Sequence, residues 1–514
     1  MESTVTDHRR PRRRNTESRR QSIHQLPWRQ VRNPYPPIEP LSADQIQTIH
    51  LTSLDILKEI GMRVLLPEAR TILKRAGASV DEDTQMVRFD PHLIEHALST
   101  VPSSYTVHAR NPERNIVMGG NYMNFGTVGG PPYALDIDRG RRPGTLADFT
   151  ELVKLAHSLN IVHFLAGSAP EAQDVAVPIR HMIMGRVVLT LSDKVPFAAT
   201  ITPQRMRDFF DMVCIVRGIT EEQLLQEPSY YSVINTNSPL QLDGPMAHGV
   251  IEMAKFNQPL CITPFTLLGA MAPVTLAGAL TQQNAEALAA ITLSQLVRPG
   301  APLIYGGFTS NVDMRSGAPA FGTPEYIKAA LIGGQMARHY KMPYRSSNTN
   351  ASNWPDAQAT YEGAMSIWGA IMGHCNMMIH GLGWLEGGLV ASYEKYIIDA
   401  EMLQIMSEFC QPVTVDESTL AVEAMRDVGP GGHFFGTQHT LDRYETAFYT
   451  PLLSDWRSFQ QWSADGAMDA TKRANKIWKT MLAEYVPPPL DPARAEELDA
   501  FIIRRTEEGG APII

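Results

Sequence analysis

The chain has 514 residues, 44% of them apolar, and a formal net charge of −9. That length can bury a large core, and the acidic balance argues against general nucleic-acid binding. No apolar run approaches the ~20 residues of a membrane span, and the Arg-rich first twenty residues lack the apolar segment of a secretory signal, so a cytoplasmic protein is expected. The four cysteines, Cys214, Cys261, Cys375 and Cys410, lie far apart and form no CxxC pair, which suggests neither a disulfide framework nor a zinc knuckle.

Residues 1–41 are basic and then Pro-rich, with a run at Arg9, Arg10, Arg12, Arg13 and Arg14. This composition predicts a disordered or loosely attached tail; a basic arm docking on an acidic surface is the alternative. Residues 42–118 read as a small helical cap. Leu51, Leu54, Leu57, Ile60 and Val64 recur at helical spacing, Pro67 and Glu68 open a second helix, residues 80–89 read as a hairpin, and 93–98 as a short helix.

From residue 119 to 395 the texture changes. Short apolar runs at 121–126, 161–167, 196–201, 231–236, 260–265, 302–308, 343–347 and 376–381 start roughly every 30–40 residues, with amphipathic helices such as 146–159, 203–216, 277–296 and 325–339 between them; strand, helix, strand at that spacing means parallel βα units. Eight such units predict a (β/α)₈ TIM barrel. An open doubly wound sheet is the competing fold, but no GxGxxG follows the first strand. Residues 396–514 read as a helical C-terminal extension.

Barrel enzymes place their chemistry at the carboxyl ends of the strands. Here those ends are rich in glycine, as at Gly129 and Gly130, and in aromatics, with Tyr133, Phe265, Phe308, Trp354 and Trp384 after strands one, five, six, seven and eight. Acid–base machinery is sparse: there is no HExxH, no P-loop and no recognisable Ser-His-Asp spacing. Aromatic rings with few charges suit a quaternary ammonium, which cannot hydrogen-bond through its methyls and is held by ring faces at about 0.5–2 kcal/mol each. Ordinary packing is the alternative for any one ring. Arg315 and Arg345 are candidates for a substrate carboxylate, and Glu386 either attracts the cation or pairs with an arginine. His374, Cys375 and His380 match no standard metal-site spacing, so no metal is expected. No catalytic acid, base or nucleophile can be assigned.

Several stretches at these positions are similar to the trimethylamine:corrinoid methyltransferase family: PFTLLGAMAPVT at 264–275, TQQNAE at 281–286, PDAQA at 355–359, SYEK and DAE at 392–395 and 399–401, and GGHFFGTQHT at 431–440. The resemblance covers about residues 45–490. It implies methyl transfer from a methylated amine to the Co(I) corrinoid of a separate small protein, so that the cobalamin belongs to the partner and none is bound by this chain itself. The corrinoid is then expected over the barrel mouth, facing Gly129, Gly130, Asn235, Asn237, His433 and His439. The family's trimethylamine enzymes carry pyrrolysine; this chain has only standard residues and resembles members acting on quaternary amines such as betaines. Trimethylamine as donor and a non-catalytic betaine-binding barrel are the competing readings. The sequence leaves open whether the chain forms a homo-oligomer.

Overall fold

The computed structural model describes residues 23–199 and 202–512; the Arg-rich run of the expected tail lies outside them. The fold is mixed α/β. Its main sheet has seven strands: β1 (Val31–Arg32), β2 (Tyr122–Thr127), β3 (Ser232–Ile234), β4 (Leu260–Ile262), β5 (Leu303–Gly306), β6 (Tyr344–Ser347) and β7 (Met377–Leu382), in the order β1-β2-β7-β6-β5-β4-β3. β1 is antiparallel and every other pairing is parallel.

The second and third predicted strands differ from expectation. Residues 161–167 and 196–199 form no named strand (Thr200 and Ile201 lie outside the described residues). They contribute only single parallel bridges, Gly126 to Phe164, Phe164 to Val195 and Phe197 to Tyr231. Phe164 presses closely on β2: a Cβ on Gly126 would lie 2.0 Å from its ring.

The helices follow their sequence signals. Thr145, Thr202, Thr323, Asp356 and Ser392 each accept a backbone N–H at the start of a helix, and Pro203 and Pro324 occupy the first helical position, where the missing N–H costs nothing. The 22-residue helix Leu276–Val297 is buried almost all round, because the cap helices Ala43–Asp55 and Pro91–Thr100 pack over its outer face. No helix among the described residues is long and apolar enough to cross a membrane.

Three stretches are more ordered, or ordered differently, than the sequence suggests. Residues 23–41 are not a loose tail: β1 pairs with β2, and Asn33 Nδ2 donates to the Ile371 carbonyl at 2.8 Å. The cap is not purely helical, because Met62–Val64 turns from the first helix into a strand, which places Val64 in a sheet. Finally, Ser104–Val107 and Ile116–Gly119 form an unanticipated hairpin. Its Val107, Ile116 and Met118 pack with Phe164, Val195, Tyr231, Cys261, Ile304, Met377 and Ile379, and Trp28 joins them. These residues make an apolar floor at the amino ends of the parallel strands.

At the opposite ends, the helix Tyr393–Phe409 carries a fully buried ion pair, Lys395 with Asp399; the second carboxylate oxygen accepts the Gly383 N–H at 2.8 Å. Burial raises the Asp399 pKa even beside the ammonium group. Removing one partner strands a buried charge, which costs about 3–5 kcal/mol. Lys395→Met is therefore expected to lower unfolding free energy by about that amount in denaturant titration. Lys395→Met combined with Asp399→Asn, which removes the charge and keeps an oxygen for the Gly383 N–H, should recover most of the loss, and a destabilisation unchanged by the second substitution would assign the effect to packing.

Candidate functional site at the carboxyl ends of the strands

Arg345, on β6, is 3% exposed. Its Nη1 donates to Thr263 Oγ1 at 3.1 Å and to the Gly307 carbonyl at 3.2 Å, and its Nε has no partner. Among the described residues no carboxylate pairs with it. The titratable groups that feel its charge include Tyr231, Cys261 and His380, all uncharged in this setting. Burial raises the tyrosine and pushes the Cys261 thiol up to about 12, and burial, with Arg345 second, holds the His380 pKa well below the ordinary imidazole value. A guanidinium in a dry site costs several kcal/mol unless an anion completes it.

His380 sits at a positive φ of 62° near the end of β7. Its Nδ1 accepts the Gly129 N–H at 3.2 Å. That bond assigns the proton to Nε2, which remains a donor. His374 and Cys375 do not join it. Six residues separate His374 from His380, about 20 Å along an extended chain, so they belong to opposite ends of the sheet. His374 instead meets the Tyr35 carbonyl, and Cys375 Sγ accepts the Ser346 N–H.

Around these two groups lie rings. Phe308 is 5.2 Å from Phe265, 5.8 Å from Trp384, 5.3 Å from Phe321 and 6.1 Å from His380, and the Arg345 guanidinium carbon is 5.1 Å from its centroid. Trp384 lies 4.3 Å from His380 and donates through Nε1 to the Asn350 carbonyl at 3.1 Å. Phe308 and Trp384 are buried, whereas Phe265 is partly open. Partly open or exposed groups at the other strand ends include Phe197, Asn235 and Gly307.

The remaining candidates fall elsewhere. Trp354 is 44% exposed and joins no ring of the cluster. Arg315 is exposed on a turn that Asp313 closes by accepting the backbone N–H groups of Arg315 and Ser316. Glu386 is paired, with both oxygens accepting from Arg141 Nε at 2.9 and 3.0 Å. The same guanidinium covers a face of Tyr133 at 3.7 Å. Gly129 has a packing reason of its own, since a Cβ there would lie 1.7 Å from the Ala166 carbonyl oxygen, whereas Gly130 is open with φ +95°. Asn237 is occupied with Asp243 in both directions. His433 and His439 lie on a later excursion of the chain, among largely exposed residues.

Buried carboxylates that sequence reasoning left without a role pin these loops. Glu286 accepts from Thr236 Oγ1, Ser238 Oγ, the Leu240 N–H and Gln282 Nε2 at 2.5–2.9 Å. Glu362 accepts the N–H groups of Ala351 and Ser352 at 2.8 and 3.1 Å. Glu286 lies in the TQQNAE stretch; its signal was an acid within an otherwise uncharged helix, a position that demands partners. The thiols offer no nucleophile: burial raises Cys214, Cys261 and Cys375 to about 12 and Cys410 to about 11.

The family model for trimethylamine methyltransferase (MTTB) matches residues 7–510. A glycine betaine methyltransferase of Desulfitobacterium hafniense (strain Y51) is 35% identical over 471 residues, covering 91% of this chain and 98% of that protein. The trimethylamine methyltransferase MttB of Desulfitobacterium hafniense (strain DSM 10664 / DCB-2) is 29% identical over 472 residues, 91% and 94% of the two chains. Among solved structures, the monomethylamine methyltransferase MtmB of Methanosarcina barkeri aligns over 90% of this chain and 89% of its own, with 10% identity and a TM-score of 0.49. This chain belongs to the trimethylamine methyltransferase family.

Proposed function

We propose that this chain takes a methyl group from a betaine, a quaternary ammonium carboxylate, and passes it to the Co(I) corrinoid of a separate protein. The observation that carries the reading is Arg345, a buried guanidinium whose titratable neighbours are neutral, set beside aromatic rings. A zwitterion satisfies both halves of such a site. Its carboxylate completes the Arg345 fork, with His380 Nε2–H as a second donor, while its ammonium lies against ring faces. The similarity to a glycine betaine methyltransferase supports the same substrate class.

The chemistry asks little acid–base work of the protein. The corrinoid, when bound, supplies the nucleophile. As the methyl carbon is attacked, the C–N bond breaks and its electron pair returns to nitrogen, so a neutral tertiary amine leaves without protonation. What the chain must do is orient one N–CH₃ bond toward the rim and keep water away. Gly130 and Asn235 are the open rim positions suited to a flat macrocycle, and four unpaired cysteines suit a reducing cytoplasm. We read the scaffold as a closed (β/α)₈ barrel. The bridges Gly126 to Phe164, Phe164 to Val195 and Phe197 to Tyr231 support closure between β2 and β3.

The test is methylation of Co(I) cobalamin or a corrinoid protein, followed by absorbance, with a panel of methylated amines. Betaines should react; trimethylamine reacting while every betaine fails would overturn the reading. Arg345→Met should weaken betaine binding at least thirtyfold by calorimetry, which is about 2 kcal/mol. The same substitution should leave unliganded stability equal or higher, since it removes a charge that is uncompensated without ligand. A less stable apo protein with unchanged affinity would make Arg345 purely structural.

Phe265→Leu, which removes the most accessible ring face of the cluster, should weaken binding about tenfold; Trp354→Leu should leave it unchanged. Equal effects of the two would move the ammonium away from β4. Because the His380 pKa lies well below its ordinary value, the imidazole stays neutral as pH falls from 8 to 6. Betaine affinity should therefore be flat across that window, and a change toward pH 6 that His380→Gln abolishes would show the ring titrating there.

A further inference from the structure

Arg345 reaches sideways along the sheet to be held. It lies opposite Gly306 on β5, and β4 is the next strand beyond. Adjacent strands are about 4.8 Å apart, so the side chain crosses roughly 10 Å of sheet to meet Thr263 at the end of β4. Gly306 stands between them without a side chain, and a Cβ there would lie 2.9 Å from the Thr263 Cβ. Thr263 is buried, and its backbone N–H donates to the Ile234 carbonyl at 3.0 Å, which gives its hydroxyl a fixed place. Gly307, the other group that Arg345 meets, is backed by Gln283: a Cβ on the glycine would lie 2.3 Å from Gln283 Nε2, and Gln283 Oε1 accepts from the Thr309 hydroxyl.

These contacts use the guanidinium unevenly. Thr263 Oγ1 at 3.1 Å and the Gly307 carbonyl at 3.2 Å both take hydrogens from Nη1, which has two. Among the described residues nothing accepts from Nε or Nη2. The Nε hydrogen and the nearer Nη2 hydrogen run parallel along one edge of the guanidinium plane. That edge is a fork whose spacing matches the two oxygens of a carboxylate.

Resting on the reading of Arg345 as the carboxylate site, we infer that Thr263 is a positioning residue that makes the site selective for a carboxylate over other anionic tails. By holding Nη1, its hydroxyl fixes the rotation of the guanidinium and leaves the Nε–Nη2 edge for the substrate. A carboxylate lies flat on that edge, one oxygen to each N–H. A sulfonate has three oxygens in a tetrahedral array, so two can meet the edge and the third is left in a dry site without a donor, which carries a penalty. Without the Thr263 hydroxyl, Nη1 is free to turn its own hydrogens to the ligand, the edge loses its fixed bearing, and the geometric preference goes with it.

Calorimetry on the full chain tests this with two ligands, glycine betaine and its sulfonate analogue N,N,N-trimethyltaurine. The wild type should prefer the carboxylate at least tenfold. Thr263→Val keeps the shape of the side chain and removes the acceptor; it should weaken glycine betaine about tenfold and bring the two ligands within about threefold of each other. Thr263→Ser keeps the hydroxyl and should restore both the affinity and the preference, a rescue that a packing role would not give. Thermal midpoints check that each variant is folded, and Thr263→Ala, with the same expected outcome, replaces the valine variant should that one fail to fold. Arg345→Lys, which keeps the charge and has no fork, should also lose the preference. A wild type without preference, a valine or alanine variant that keeps it, or a serine variant that behaves like valine would each overturn the role of Thr263. Glycine betaine affinity untouched by Arg345→Met would instead overturn the reading on which that role rests.

Discussion

The rim of this fold depends on carboxylates buried beneath it. Loops at strand ends carry backbone N–H groups that neither sheet nor helix satisfies, and each such group left dry costs more than a made hydrogen bond returns. Glu286, Glu362 and Asp399 stand on the helices behind the strands and accept those N–H groups from below. A carboxylate can take several donors at once, so one side chain fixes a whole turn. The loops that carry Asn235, Trp384 and the 351–352 turn are thereby held by the scaffold, and a site whose chemistry needs only alignment gains most from that rigidity.

Against these satisfied anions, Arg345 is the inverse case. Its charge is buried at the strand ends with a hydroxyl, a carbonyl and a ring for company. On the reading proposed above, a permanently charged group in such a place would discriminate strongly: an amine lacking an anionic tail would leave the desolvated cation uncompensated, whereas a zwitterion would bring its own counter-charge. Selectivity of this kind comes from the penalty on the wrong ligand as much as from contacts with the right one.

Much of the architecture was legible because helix starts announce themselves chemically. Thr202 with Pro203 and Thr323 with Pro324 combine a cap and a proline in adjacent residues. Strands two and three were misjudged because an apolar run of six or seven residues does not say how many of them will pair; Phe164 and Val195 meet their neighbours at single points. Of the candidates, Arg345, Phe265 and Phe308, all singled out at strand ends, fall in one cluster. Others were lost where a loop intervened: Trp354 and Trp384 read alike in sequence, yet one is solvent-facing and the other packs on His380. Glu386 found its arginine across 245 positions of chain, a pairing that no local pattern encodes. The charged groups of the segment 392–401, one of the stretches similar to the family, are consumed by loop and helix anchoring.

The hairpin beneath the strands has a kinetic meaning. Val107, Ile116, Met118 and Trp28 stop the far end with close-packed apolar side chains, so on the reading proposed above a donor would reach Arg345 from the strand-end rim. A partner that delivers its acceptor atom at that rim would also block it. On that reading the donor would enter before the acceptor protein docks, and the demethylated amine would wait until that protein leaves. The plugged end would then set the sequence of arrivals and departures, and an excess of the acceptor protein would slow turnover by trapping the site empty or spent.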